Sequence, residues 1–116
     1  MKIYQYPKCS TCRKALQFLK QLDTDAEVID ISFTPPTKSE ILRMLKHYNN
    51  EVRKLFNVSG LQYRDLNLKD KLPKMDLDKA IDLLSKNGML IRRPFLISSK
   101  VGLLGFDEKE WKAKLK

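Results

Sequence analysis

The chain holds two cysteines, Cys9 and Cys12, in the segment YPKCSTCRK. In a helix, Cys-x-x-Cys spacing places two thiols on one face, where one sulfur can attack a disulfide and the other can resolve the product. At a helix start, unpaired N–H groups and the positive end of the helix dipole favour the thiolate of the first cysteine. Lys8, Arg13 and Lys14 add positive charge. Cys9 is therefore the candidate nucleophile and Cys12 the candidate resolving thiol.

Three other uses of the cysteine pair compete with this interpretation. A structural zinc site takes about four ligands, and the chain adds one histidine, His47, in a separate predicted helix. A metal site would then need a second copy or carboxylates, so we expect no metal and an exposed His47. A structural disulfide closing so short a loop gains little chain entropy. Two buried cysteines without chemistry remain an alternative.

The elements around the pair predict a strand, a helix and a second strand. Lys2–Tyr6 has the pattern of a short strand, and Ala26–Ser32 is β-branched and alternating. Between them, apolar residues recur at helical spacing from Ser10 to about Leu22. The cysteines therefore stand where a strand passes into a helix within a parallel βαβ unit, a context that favours redox chemistry for Cys-x-x-Cys.

The middle of the chain predicts helices. Pro35 and Pro36 end the second strand, and Thr37 with Glu40 forms a capping-box pattern for the next helix. Further helical segments are predicted at Glu51–Phe56, at Tyr63–Leu72 and, after Asp76 as a cap, at Leu77–Lys86.

The last third of the chain predicts two short β-strands, at Phe95–Ser98 and Val101–Leu104, followed by a helix that Asp107 caps. The order βαβ, helices, ββα predicts an α/β protein with a thioredoxin-like fold. We expect one domain over residues 1–116, with a helical insertion at about residues 37–87 between the second and third core strands.

A second candidate site element is Arg92-Arg93-Pro94, which leads directly into the third predicted strand. In thioredoxin-like folds the proline before this strand is cis and faces the cysteines. Arg93 would then lie beside Cys9, where its planar guanidinium could stabilise a thiolate or bind an anion. The alternative is that both arginines face solvent. Besides the catalytic candidates Cys9, Cys12 and Arg93, the candidate substrate- or thiol-binding residues are Lys8, Ser10, Thr11, Arg13, Arg92 and Pro94.

Composition and charge limit the classes of partner that the chain is expected to bind. The net charge is +9, but lysines are spread along helix faces and no basic patch is interleaved with aromatic residues, so direct nucleic-acid binding is not expected. No apolar run approaches the roughly 20 residues of a membrane span, and the start MKIYQY lacks the apolar core of a signal peptide. We expect a cytoplasmic protein without membrane contact, where close cysteines are more often catalytic or sensing than structural.

Five motifs in order carry a resemblance to a known family. They are the Cys9–Cys12 turn, Pro35-Pro36-Thr37, the G-x-x-Y-R-x-L-N-L-K segment at Gly60–Lys69, and the L-I-x-R-P sequence at Leu90–Pro94, after an opening strand. The chain resembles the arsenate reductase/Spx (ArsC-like) family over nearly its whole length, and is most similar to the short members with Cys-x-x-Cys. The resemblance implies a thioredoxin-like fold with a helical insertion.

Within this family, the glutaredoxin-linked arsenate reductases attack arsenate with one cysteine and bind the oxyanion with three arginines. Cys9 and Arg93 match the nucleophile and one arginine. The other two arginines fall at Asn57 and near Gly105. Since charge-assisted hydrogen bonds contribute about 1.5–3 kcal/mol each, their loss predicts weak arsenate binding.

The other branch, the Spx-type regulators, uses Cys-x-x-Cys as an oxidation switch and binds the C-terminal domain of the RNA polymerase α subunit. The regulators have a glycine in the turn that touches the polymerase, whereas His47–Phe56 has none and Asn49-Asn50 could make the turn. We expect a thiol-dependent reductase without a bound cofactor. Its reductant would be a low-molecular-weight thiol or a glutaredoxin- or thioredoxin-like protein, and RNA polymerase α is the alternative partner.

Overall fold

Four strands form one mixed sheet in the computed structural model, which describes residues 1–115. The strands are Lys2–Gln5 (β1), Glu27–Asp30 (β2), Phe95–Ile97 (β3) and Gly102–Leu104 (β4). Their order across the sheet is β2-β1-β3-β4. β1 runs parallel to β2, whereas β3 runs antiparallel to both β1 and β4.

The described residues also form six α-helices: Ser10–Gln21 (α1), Lys38–His47 (α2), Leu61–Asp65 (α3), Leu68–Lys71 (α4), Leu77–Lys86 (α5) and Glu108–Leu115 (α6). Short 3-10 helices lie at Val52–Leu55, Leu72–Lys74 and Gly88–Leu90. Four of the α-helices stand between β2 and β3, so the predicted α/β fold with a helical insertion is confirmed. No helix within residues 1–115 combines the length and apolar character needed to cross a membrane.

The two faces of the sheet carry separate hydrophobic cores because successive residues of a strand point to opposite faces. On one face, Ile3 and Leu96 pack with Phe18 of α1 and Trp111 of α6. On the other face, the core contains Tyr4 and residues of the insertion, among them Ile41, Met44, Leu45, Ile81 and Leu84. β1 is therefore buried on both sides rather than alternating. Packing of α1 against the sheet fixes the start of this helix beside the end of β1.

Two details of the insertion differ from the sequence prediction. The single helix predicted at Tyr63–Leu72 is divided into α3 and α4, because Asn67 between them adopts a left-handed conformation with φ 54°. Asp76 does precede α5, but its side chain makes no capping hydrogen bond. The capping box of α2 is confirmed, with the Glu40 N–H donating to Thr37 Oγ1 at 3.2 Å.

Glu40 also holds the insertion to β1. Its Oε1 accepts hydrogen bonds from Tyr4 Oη at 2.6 Å and from the Thr37 N–H at 3.0 Å, and its Oε2 lies 3.3 Å from Lys2 Nζ. Burial would raise the pKa of Glu40, but the hydrogen bonds from Tyr4 and Thr37 and the ion pair with Lys2 outweigh it, so the pKa lies below its usual value. The buried carboxylate is thereby kept ionised.

Gly88 brings the chain after α5 against the end of β2. A Cβ at this position would lie 1.9 Å from the backbone oxygen of Ile31, so only glycine allows the approach. The segment that follows leads to Arg92, Arg93 and Pro94, and its path toward the sheet therefore depends on this contact.

Candidate functional site

Cys9 is the N-cap residue of α1. Its backbone is extended, with φ −90° and ψ 118°, and its Sγ accepts a hydrogen bond from the Cys12 N–H at 3.4 Å. The Cys9 N–H donates to the Tyr6 carbonyl at 3.0 Å and fixes the turn between β1 and α1. The sulfur thus occupies the position that a serine or aspartate oxygen usually takes at a helix start. An anion at this position is stabilised by the helix dipole.

The two thiols are both free and lie close together, but they differ in exposure. Cys9 is partly exposed, whereas Cys12 is completely buried within α1. A reagent from solution therefore meets Cys9 first.

The electrostatic surroundings separate the pKa values of the two thiols. For Cys9, burial raises the pKa, but hydrogen bonding by the Cys12 thiol and N–H and the nearby Arg93 guanidinium outweigh it, so the pKa is lowered. For Cys12, burial is the largest influence and raises the pKa. The Tyr6 backbone and, more weakly, Arg93 lower it, but the adjacent Cys9 raises it again, so the pKa is about 12. The arrangement favours a thiolate at Cys9 and a thiol at Cys12.

Two contacts hold Arg93 beside Cys9. Its guanidinium lies over the ring of Tyr6, with Cζ 5.4 Å from the ring centroid. Its Nη1 donates to the Met89 carbonyl at 3.5 Å, and the Arg93–Pro94 peptide is cis, as the fold prediction required. Arg93 is half-buried, whereas Arg92 is exposed. The alternative that both arginines face solvent is therefore met by Arg92 but not by Arg93.

We expect Arg93→Gln to raise the pKa of Cys9, because the substitution removes the guanidinium charge beside the sulfur. The pH profile of alkylation by iodoacetamide should shift upward, and the rate at neutral pH should fall several-fold. Arg92→Gln is the matched control, since Arg92 is not among the groups that shift the pKa of Cys9. An equal shift in both variants would contradict the role of Arg93.

An open groove of about 330 Å³ lies over Cys9. Its lining residues are Cys9, Thr11, Asn57, Ser59, Arg92, Arg93, Gly105 and Phe106. Of the other sequence candidates, Lys8, Ser10 and Arg13 are exposed around the start of α1, outside this lining. Pro94 is buried, and its carbonyl accepts the Gly105 N–H at 3.0 Å. The structure therefore brings Thr11, Arg92 and Arg93 to Cys9.

The far wall of the groove comes from the insertion. The Arg92 N–H donates to the Leu55 carbonyl at 2.9 Å, and the Asn57 N–H donates to the Leu90 carbonyl at 2.7 Å. This short pairing sets Asn57 next to Arg92. Sequence reasoning did not assign Asn57, Ser59 or Phe106 to the site, although the resemblance had marked Asn57 as the position of a reductase arginine.

Gly105 forms the opposite side of the groove, with φ +66°. A Cβ at Gly105 would lie 2.9 Å from Arg92 Nε, so the arginine side chain packs directly on the glycine backbone. The groove thus presents two guanidinium groups, from Arg92 and Arg93, with Asn57 and Gly105 at the positions matched to the other family arginines. In residues 1–115 no cluster of three or more His, Cys, Asp or Glu residues could hold a metal ion, and His47 is exposed.

The chain is similar to known proteins over nearly its whole length. The model of the ArsC family matches residues 4–114. The uncharacterised protein YusI of Bacillus subtilis is 40% identical over 108 residues, which cover 93% of this chain and 92% of YusI. The global transcriptional regulator Spx of Streptococcus mutans is 27% identical over 113 residues, covering 97% of this chain and 81% of Spx. The crystal structure of a possible arsenate reductase from Streptococcus mutans superposes with a TM-score of 0.86 at 42% identity, covering 96% of each chain.

Proposed function

The chain belongs to the ArsC family, and we propose that it is a thiol-dependent reductase that acts through Cys9 and Cys12. The observation that carries this proposal is the partly exposed Cys9 at the N-cap of α1, whose sulfur accepts a hydrogen bond from the backbone of the buried Cys12. An accessible low-pKa thiol with a second thiol in reach is the arrangement that thiol–disulfide exchange requires.

In the proposed reaction, the Cys9 thiolate attacks one sulfur of a disulfide substrate. A Cys9–substrate disulfide forms, and the other substrate half leaves as a thiolate that takes a proton from solvent. The Cys12 thiol then loses its proton and attacks Cys9 Sγ, which forms the Cys9–Cys12 disulfide and releases the second half as a thiol. The substrate gains two electrons and two protons, and the protein dithiol is oxidised by the same amount.

The order of the two steps follows from the charges. The Cys9 sulfur is one of the groups that raise the pKa of Cys12. Once Cys9 is in a mixed disulfide, its negative charge is gone while the Arg93 guanidinium remains, so Cys12 ionises more easily. The Cys12 thiolate is therefore less disfavoured after the first step than before it, although burial, the largest cause of its raised pKa, remains.

The remaining site residues would bind the substrate. Arg93 stabilises the thiolate and anionic groups, Pro94 shapes the floor under the groove, and Thr11 and Arg92 contact the bound half. Lys8, Ser10 and Arg13 would meet a larger partner at the start of α1. A low-molecular-weight thiol or a glutaredoxin- or thioredoxin-like protein of a reducing compartment would reduce the Cys9–Cys12 disulfide.

The Cys12→Ser variant tests this proposal. With the resolving thiol absent, incubation with a small disulfide such as hydroxyethyl disulfide should leave a stable adduct on Cys9, visible by mass spectrometry of the intact protein and of the peptide. The wild-type protein should instead show the Cys9–Cys12 disulfide without adduct. A Cys9 that stays unmodified in the variant would contradict the proposal.

A regulator that contacts RNA polymerase is a second candidate, favoured by the similarity to Spx and by one feature of the insertion. Asn49 and Asn50 adopt left-handed conformations, with φ 58° and 62°, and so make the turn for which the regulators have a glycine. Binding of the isolated polymerase α C-terminal domain that differs between reduced and oxidised protein would support this candidate. Absence of binding in both states would exclude it.

A further inference from the structure

A second hollow adjoins the groove over Cys9. It has a volume of about 400 Å³ and is lined by Glu51, Arg53, Lys54, Phe56, Asn57, Val58, Ser59 and Arg92. Three of these residues, Asn57, Ser59 and Arg92, also line the groove at Cys9. The two hollows therefore share a wall, and a ligand held at Cys9 could extend into the second one.

The second hollow is strongly basic. Arg53, Lys54 and Arg92 line it, against one carboxylate, that of Glu51. Glu51 pairs with Lys54, with Oε2 3.1 Å from Nζ. Within residues 1–115, neither Arg53 nor Arg92 has a carboxylate at ion-pair distance. Two guanidinium groups are thus available to an anion from solution.

The backbone holds these two arginines in a fixed relation. Arg92 is paired to the insertion through its N–H and the Leu55 carbonyl, at 2.9 Å, and Phe56 forms a β-bridge with Ile91. The Phe56 N–H in turn donates to the Arg53 carbonyl at 3.1 Å. Since the backbones of Arg53 and Arg92 belong to one hydrogen-bonded unit, less ordering is needed when a ligand binds.

We propose that this hollow is an anion subsite that binds the carboxylate of an acidic low-molecular-weight disulfide while one of its sulfurs reacts at Cys9. The inference rests on the proposed function and specifies the substrate class of that site. The planar guanidinium of arginine matches a carboxylate with two parallel hydrogen bonds. The half of the substrate attached to Cys9 keeps its carboxylate at Arg53 and Arg92 until Cys12 displaces it as a thiol.

The test compares three disulfides of similar size and different charge. Each rate of Cys9–Cys12 disulfide formation is divided by the rate of the same disulfide with a free neutral thiol, because the leaving thiols differ in intrinsic reactivity. We expect this relative rate to be highest for anionic 3,3′-dithiodipropionate, lower for neutral hydroxyethyl disulfide and lowest for cationic cystamine. In Arg53→Glu, the anionic-to-neutral rate ratio should fall by about fivefold to tenfold at low ionic strength, and added salt should reduce the wild-type ratio. Arg53→Lys should recover most of the ratio.

The matched control is Arg43→Glu, which changes the net charge equally at an exposed position of α2 that lines neither hollow. Each ratio compares two substrates on the same protein, so a smaller fraction of folded protein lowers both rates equally and leaves the ratio unchanged. Equal relative rates for the three disulfides in the wild-type protein, or equal effects of Arg43→Glu and Arg53→Glu, would overturn the subsite and leave the reductase proposal standing. If no disulfide oxidises the protein, both fall.

Discussion

Replacing Cys9 with serine is expected to reduce disulfide exchange to the background rate while the fold is retained. A serine hydroxyl does not ionise at neutral pH and cannot form the mixed disulfide. Serine is nevertheless a good N-cap residue, so its Oγ can accept the Cys12 N–H in place of Sγ, and the free energy of unfolding should change by less than about 1 kcal/mol. Exchange is measured with hydroxyethyl disulfide, and stability by urea unfolding.

Cys9→Ala separates the two roles of this residue. It removes both the nucleophile and the capping acceptor, and should therefore be equally inactive but less stable by about 1 kcal/mol. Activity remaining in either variant would show that Cys12 or another group reacts first, and the assignment of Cys9 would be wrong.

Glu40→Ala is expected to destabilise the protein by about 2–4 kcal/mol, because it leaves the buried Tyr4 hydroxyl without its acceptor and removes the capping box of α2. The melting temperature should fall by roughly 10 °C. Tyr4→Phe removes one of these hydrogen bonds and should lower the free energy of unfolding by less than Glu40→Ala does. Glu27→Gln, at an exposed carboxylate of β2, is the control and should stay within about 0.5 kcal/mol of the wild type.

The stability contributed by Glu40 should depend on pH with a definite sign. The pKa of Glu40 is lower in the folded protein than in the unfolded chain. Its contribution is therefore complete above the unfolded pKa of about 4.3 and is lost as the pH falls through the folded value. The difference between wild type and Glu40→Gln, measured by urea unfolding from pH 7 downward, should shrink in that range. A difference that stays constant would show that Glu40 acts through shape alone.

Local patterns were sufficient to predict where Cys9 and Cys12 lie in the fold. The Cys9–Cys12 spacing, the helix that begins at Ser10 and the Thr37–Glu40 capping box each depend on a few neighbouring residues, and each is present in the structure. The order of strands and helices likewise allowed the α/β fold with its insertion to be predicted, since the rules for connections between elements leave few topologies for that order.

The walls of the groove could not be predicted in the same way. Asn57 and Ser59 line the groove over Cys9 because Leu55 and Asn57 pair with the backbone near Arg92, and nothing in the sequence around either segment indicates this pairing. The break between α3 and α4 was also missed. Asparagine adopts the left-handed conformation more readily than most residues, but only in a minority of cases, so Asn67 did not by itself indicate a break.

The position of Cys9 at the head of α1 couples the chemistry of one atom to the integrity of a helix. Because the folded protein lowers the pKa of this thiol, the ionised sulfur stabilises the first helical turn, and the ordered turn in turn stabilises the ionised sulfur. Protonation of the sulfur by acid therefore also destabilises the first helical turn. Covalent capture of the sulfur also removes its charge from the helix dipole. Each catalytic cycle would then loosen and re-tighten the opening turn, and backbone amides there would report, through their hydrogen exchange, whether the sulfur is free.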